Sequence, residues 1–214
     1  MQNTSHAVMA QRIEPKDSRD DFPTPPWATR ALLEHVLDDR HAFEQKTCLE
    51  PACGAGHMAR PLAEYFGTVH ASDAYDYGYG PIRDFLTHPY EKDSVDWVIT
   101  NPPFRCSEQF VHQALEVARE GVAILARTVF IESVRRYNSL FRRMPPSKFA
   151  PFTERVPMVK GRLDRKASTA TSYAWLVWEK RDVGAETKVI WIPPCRKQLE
   201  RENDYPEGSL ETIS

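Results

Sequence analysis

The sequence has no stretch of about 18 uninterrupted apolar residues, the length at which a helical run spans a bilayer, so the chain is expected to need no membrane. Its start, MQNTSHAVMAQRIEPKDSRDD, lacks the positively charged stub and apolar run of a secretory signal, and a cytoplasmic location follows as the default. The four cysteines, Cys48, Cys53, Cys106 and Cys195, form neither a CxxC pair nor a Cys/His zinc pattern. Inert reduced thiols are expected, and no metal. Nothing repeats at a period of about 20 to 50 residues, so solenoid and propeller architectures fall away.

An overall positive excess is missing too: the formal net charge is −2. That average conceals an asymmetry. Residues 135–166 hold ten basic side chains against Glu154 and Asp164, a local +8, so the remainder of the chain carries about −10. A concentrated positive segment on an acidic protein suits phosphate contacts, because each Lys or Arg near a phosphate releases condensed counterions. A solvated charged face is the plainer alternative. Arg135, Arg136, Arg162, Arg165 and Lys166 are the candidate nucleic-acid contacts, with Ser168, Thr169 and Thr171 as further phosphate donors.

Residues 1–20 are polar without a sustained period and read as a flexible arm; residues 181–214 run into Pro193-Pro194 and a charged tail. Between them, in residues 21–180, short apolar runs alternate with amphipathic stretches, which predicts an α/β domain with helices on both faces of a mostly parallel sheet. Helices are expected over 26–37, 57–66, 108–119 and 131–143, and strands over 47–50, 68–73, 95–100 and 121–126. A basic Ser/Thr-rich loop separates two further strands, near 155–159 and 173–178, which fit an antiparallel hairpin at one edge.

The first strand ends in Glu50-Pro51-Ala52-Cys53-Gly54-Ala55-Gly56. Two glycines thus fall where the backbone must turn tightly and approach a ligand. Dinucleotide enzymes and plain tight turns use GxG as well. Asp73 closes the second strand, where a carboxylate can accept from both ribose hydroxyls, and Asp84-Phe85 offers an acceptor for an adenine amino group beside a ring for its face. The ordered set resembles the S-adenosylmethionine-dependent methyltransferases. That resemblance implies a Rossmann-like, seven-stranded sheet with S-adenosylmethionine as cofactor. It implies Glu50 and Pro51 near the methionine ammonium, Gly54 and Gly56 beneath the cofactor, Asp73 (or its neighbour Asp76) on the ribose, and Asp84 with Phe85 on the adenine.

The strand at 95–100 runs straight into Asn101-Pro102-Pro103-Phe104. An aromatic amine is a poor nucleophile because its lone pair is delocalised into the ring; two fixed oxygens that accept its hydrogens favour a tetrahedral nitrogen. Asn101 supplies a side-chain carbonyl and Pro102 a main-chain carbonyl, held rigid by its own ring and by Pro103. The same dipoles stabilise positive charge as it develops on the nitrogen, and Phe104 offers a ring on which a base can stack. With Asp21-Phe22-Pro23-Thr24-Pro25-Pro26 ahead of the first motif, the chain is similar to the adenine-N6 DNA methyltransferases, in a motif order resembling their gamma class. The resemblance places Phe22, Pro23 and Thr24 over the methionine end of the cofactor and implies a flipped adenine in DNA as substrate.

Members that read long sites carry a separate recognition domain, for which the residues after Lys180 are too few and too polar. Recognition is therefore expected from the basic segment, a second subunit or a partner. NPPF also occurs in enzymes acting on RNA bases and on a glutamine amide, so an RNA adenine or guanine methyltransferase is the main alternative. A non-catalytic binding module that has kept the fold is another.

Overall fold

The computed structural model describes residues 20–37, 40–182 and 186–205. The apolar runs become β1 (Thr47–Glu50), β2 (Thr68–Ala71), β3 (Val95–Thr100), β4 (Ala118–Arg127), β5 (Lys148–Pro151), β6 (Tyr173–Glu179) and β7 (Lys188–Val189), in the spatial order β2-β1-β3-β4-β6-β5-β7. β1 pairs in parallel with β2 and β3, β3 with β4, and β5 with β7; β6 lies antiparallel between β4 and β5.

β3 and β6 are buried along their whole length, and alternation, from Trp97 onward in β3 after a register shift, divides their side chains between two cores. Trp97, Ile99, Trp175 and Val177 face one side, where α1 (Pro26–His35) adds Trp27, Ala31 and Leu32. Val98, Leu176 and Trp178 face the other with Phe110, Val111 and Ala114 of α3 (Ser107–Val117). Pro26 fits the first turn of α1 because it has no N–H to satisfy there. Among the described residues no helix is long and apolar enough to cross a membrane.

The structure departs from the sequence expectations in four places. Regular helix within the expected 57–66 is confined to α2 (Ala59–Leu62), since Pro61 has no N–H to give; helical bonds such as Arg60 N–H to Gly56 and Phe66 N–H to Leu62 still carry turns to either side. The helix expected over 131–143 is broken. Ser133 is extended and its hydroxyl accepts the Arg136 N–H, so a new short helix α4 (Val134–Arg136) starts there and widens into a π-turn, Tyr137–Phe141. The antiparallel partner of β6 is β5 rather than 155–159, where Pro157 removes a ladder donor.

The hairpin is also not at the edge, because β7 pairs outside β5. Residues 186–205, expected to trail away as part of the tail, instead dock on the domain. Ile192 and Cys195 enter the α1 core, and the buried Arg30 guanidinium bonds Glu64, Asp204 and the carbonyl of Leu199, the last residue of α5 (Arg196–Leu199). Residues 1–19 of the expected arm and 206–214 of the tail lie outside the described residues.

Candidate active site at the strand carboxyl ends

The chain leaves β1 toward β2 on one side while β3 lies on the other, and a crevice opens at that reversal. A cleft of about 360 Å³ occupies it, lined by Phe22, Pro23, Thr24, Glu50, Pro51, Gly54, Asp73, Asp84, Phe85, Asn101 and Pro103. Residues far apart in sequence and assigned to the cofactor or the amine are thus brought together. Gly56, Pro102 and Phe104 adjoin this lining without being part of it.

Glu50, the last residue of β1, is buried with 1% exposure. Its Oε1 accepts from Thr100 Oγ1 at 2.5 Å and from the Ala52 N–H at 3.0 Å. Removal from water outweighs these two bonds, and with a smaller contribution from Asp73 it raises the carboxyl pKa to about 8. The turn that follows has both glycines at positive φ, +49° at Gly54 and +84° at Gly56. A Cβ on Gly56 would sit 2.5 Å from the Tyr79 ring, whereas one on Gly54 would meet nothing nearer than Asp21 Oδ1 at 3.8 Å. Gly54 therefore presents bare backbone to the cleft. Asp73 fixes that backbone, its Oδ2 accepting the Gly54 N–H at 2.9 Å and its Oδ1 the Tyr75 N–H at 3.0 Å.

Asp84 is exposed and folds its own turn, Oδ1 accepting the Leu86 N–H. The Phe85 ring is only 1% exposed, packed against Tyr90 and Phe110, and forms floor rather than wall; the more exposed Leu86 also lines the cleft.

Asn101 follows β3 directly. Its Nδ2 donates to the Phe22 carbonyl at 3.0 Å and to Thr24 Oγ1 at 3.1 Å, with Met158 Sδ at 3.9 Å. A main-chain carbonyl can only accept, so the amide nitrogen must face Phe22. Oδ1 is left buried with no hydrogen-bond partner among the described residues. None of the hydrogen bonds among the described residues ends on the Pro102 carbonyl either, whereas the Pro103 carbonyl caps α3 by accepting from Cys106 N–H and Ser107 Oγ.

Phe104 meets the Phe22 ring at 5.2 Å between centroids, and the Arg127 guanidinium covers it at 3.9 Å. One ring face is thus already taken. Its N–H donates to Asp20 Oδ2 at 2.6 Å. Sequence reasoning missed Asp20, Arg127 and Met158. Of these only Arg127 had a signal, a cation ending the apolar strand beside the one that carries Asn101.

The basic candidates stand away from the cleft. Arg162 pairs with Asp164 and Arg135 with Glu108, both exposed on the basic side, and Lys166 is exposed. Arg136 bonds the Phe130 carbonyl and lies over that ring. Arg165 turns inward to Glu200. Lys148, part of the local charge excess, is buried against Glu179 and contributes nothing to the surface. The basic loop is nonetheless tied to the cleft: the Gly161 N–H donates to the Asp21 carbonyl at 2.9 Å.

No protein-family profile and no curated protein matches the sequence. Solved structures do. A protein from Pyrococcus horikoshii assigned as an RNA methyltransferase superposes with a TM-score of 0.58 at 18% identity, over 78% of this chain and 91% of that one. A modification subunit assigned to a type I restriction enzyme of Vibrio vulnificus gives 0.54 at 15% identity, over 88% of this chain and 50% of its own. A protein from Listeria monocytogenes assigned as a class I S-adenosylmethionine-dependent methyltransferase gives 0.51 at 14% identity, over 78% of this chain and 62% of that one. The chain has the fold of S-adenosylmethionine-dependent methyltransferases. It spans about half of the Vibrio subunit and under two thirds of the Listeria protein.

Proposed function

We propose that this chain, through a catalytic domain formed by residues 21–180, transfers a methyl group from S-adenosylmethionine to N6 of a flipped adenine in DNA in the cytoplasm. The observation that carries the reading is the buried, unpartnered Oδ1 of Asn101. An orphaned buried acceptor is disfavoured by roughly 1–3 kcal/mol, and it persists here because Phe22 and Thr24 hold the amide nitrogen on the opposite side. Among the described residues other buried side-chain atoms also lack a partner, but Asn101 is the residue of that set that lines the cleft, where a ligand N–H would complete its Oδ1.

The cleft also fits the cofactor. Its volume of about 360 Å³ lies within the ~300–1,000 Å³ common to small-molecule sites. Glu50 offers a buried carboxylate suited to an ammonium, Asp73 and Asp84 offer acceptors for hydroxyl and amino groups, and the bare backbone of Gly54 lines the same cleft. When bound, S-adenosylmethionine supplies an electrophilic methyl on a sulfonium.

The protein's own part is orientation and electrostatics. Asn101 Oδ1 and the Pro102 carbonyl accept the two amino hydrogens of the base, draw the lone pair out of ring conjugation, and aim it at the cleft. Both dipoles are fixed before reaction, so they stabilise the growing positive charge on nitrogen without reorganising. The Phe104 ring, braced by Arg127 and Phe22, supports the base. The segment around Phe22 and Thr24 does double duty, roofing the cleft and setting the Asn101 amide.

Tritiated methyl transfer to DNA, total RNA and protein measured side by side, with mass spectrometry of the modified base, tests the reading. N6-methyladenine in DNA is expected. Asn101→Ala should lower turnover by about 10²–10³-fold, the usual effect of removing one preorganised dipole, while cofactor affinity changes little. Wild-type turnover in that variant would refute the mechanism, and label in RNA or protein alone would refute the substrate.

A further inference from the structure

Four large apolar side chains stand exposed in the short segment after β4: Val129 (57%), Ile131 (45%), Val134 (82%) and Tyr137 (57%). Val134 opens α4, behind the Ser133 cap, and Tyr137 begins the π-turn, where the Arg142 N–H reaches back to the Tyr137 carbonyl at 2.8 Å. Such widened turns recur at functional sites.

The placement of this segment is specific. β3 and β4 are parallel neighbours with Thr100 opposite Ile124, so their ends emerge side by side. Arg127, the last residue of β4, rests on Phe104. The apolar segment therefore starts at the rim of the amine pocket. Its charged surroundings are one-sided, with Arg135, Arg142 and Arg143 exposed in and just beyond it, the first paired to Glu108 of α3, and Glu132 the lone carboxylate in the span 127–143.

We infer that this segment is a wedge for duplex DNA, with Val134 and Tyr137 entering the base stack at the place the target adenine leaves and the flanking arginines seating on phosphates. The inference rests on the proposed adenine-N6 reading and names how that site gains access to a paired base. An extruded base leaves a stacked, apolar gap, and apolar or aromatic side chains are the groups that fill one. Exposed valine and tyrosine with exposed arginines beside them in the chain match a duplex, apolar within and anionic outside, better than they match water.

The test uses a duplex that the wild-type protein methylates and the same duplex with an abasic site opposite each target adenine, where no pair has to be broken. The double variant Val134→Ser/Tyr137→Ala should lose about tenfold or more in kcat/KM on the matched duplex, since unstacking involves a few kcal/mol, and less than about twofold on the abasic one. Unchanged thermal melting and cofactor binding would show the variant folded. Equal loss on both duplexes, or no loss on the matched one, overturns the wedge. So does a wild-type dimer in sedimentation that the variant converts to monomer, since the strip is then an interface between copies. If the wild-type protein methylates adenine in no DNA duplex, the adenine reading itself is overturned, and the wedge with it.

Discussion

At pH 7 a Glu50 carboxyl with a pKa of about 8 is about nine-tenths protonated before the cofactor binds. An ammonium placed beside it favours the carboxylate, so binding must drive the proton out. The consequences are quantitative. At pH 7 and below each binding event should release close to one proton, and apparent affinity should fall about tenfold for each further unit of pH lost, or about 1.4 kcal/mol. The stability sign is the reverse of the usual carboxylate case. Because the folded pKa lies above the ordinary 4.5, the unfolded chain ionises first as pH rises. Glu50 therefore destabilises the unliganded protein progressively from about pH 4.5 to 8, by a few kcal/mol at the upper end.

Isothermal calorimetry at pH 6.5 in buffers of different ionisation enthalpy counts the released protons directly. Glu50→Gln keeps acceptors for Thr100 and Ala52 but cannot ionise. It should abolish the release, flatten the pH dependence of affinity, and raise the melting temperature of the unliganded protein at pH 8. No proton release by the wild type at pH 6.5, or the same release by Glu50→Gln, would refute the assignment of Glu50 to the ammonium.

Two other expectations concern the surface and the docked end of the chain. Arg162→Glu with Lys166→Glu should weaken DNA binding and reduce the slope of log K against log salt by about 2, near 0.9 for each lost phosphate contact; an unchanged slope would move the DNA surface elsewhere. Asp204→Asn should destabilise by about 3 kcal/mol, the low end for breaking a buried ion pair because Glu64 still faces Arg30. That corresponds to a drop of roughly 6–12 °C in melting temperature for a chain of this size, and an unchanged melt would show that the Arg30–Asp204 pair contributes no docking energy.

The sequence revealed most where periodicity and turn chemistry act locally. β1 and β3 were legible to the residue because β-rich apolar runs end at Pro51 and at Asn101-Pro102. The helix expected over 131–143 was not, since its apolar spacing comes partly from Val134 and Tyr137, which face solvent and are not held by a core. Periodicity cannot distinguish an apolar side chain that packs from one that is displayed. The docking of 186–205 was hidden for a different reason. It depends in part on one buried arginine, 174 positions from its partner Asp204, and charge content alone reads such a segment as solvated.

The same distinction separates the two halves of the candidate site. Asn101 and Gly54 could be singled out from adjacent residues, and both line the cleft. What makes Asn101 usable is not adjacent to it. Phe22 and Thr24 hold its nitrogen and Met158 lies against it, while Gly161 three residues on bonds the Asp21 carbonyl. The roof of the cleft, the orientation of the acceptor and the base of the basic loop are therefore one connected body. Displacing the roof at Phe22 frees the Asn101 amide to turn, and a turned amide presents a donor where the proposed reaction needs an acceptor. Replacing Thr24 thus removes one of the acceptors that set the Asn101 amide as well as a wall of the cleft.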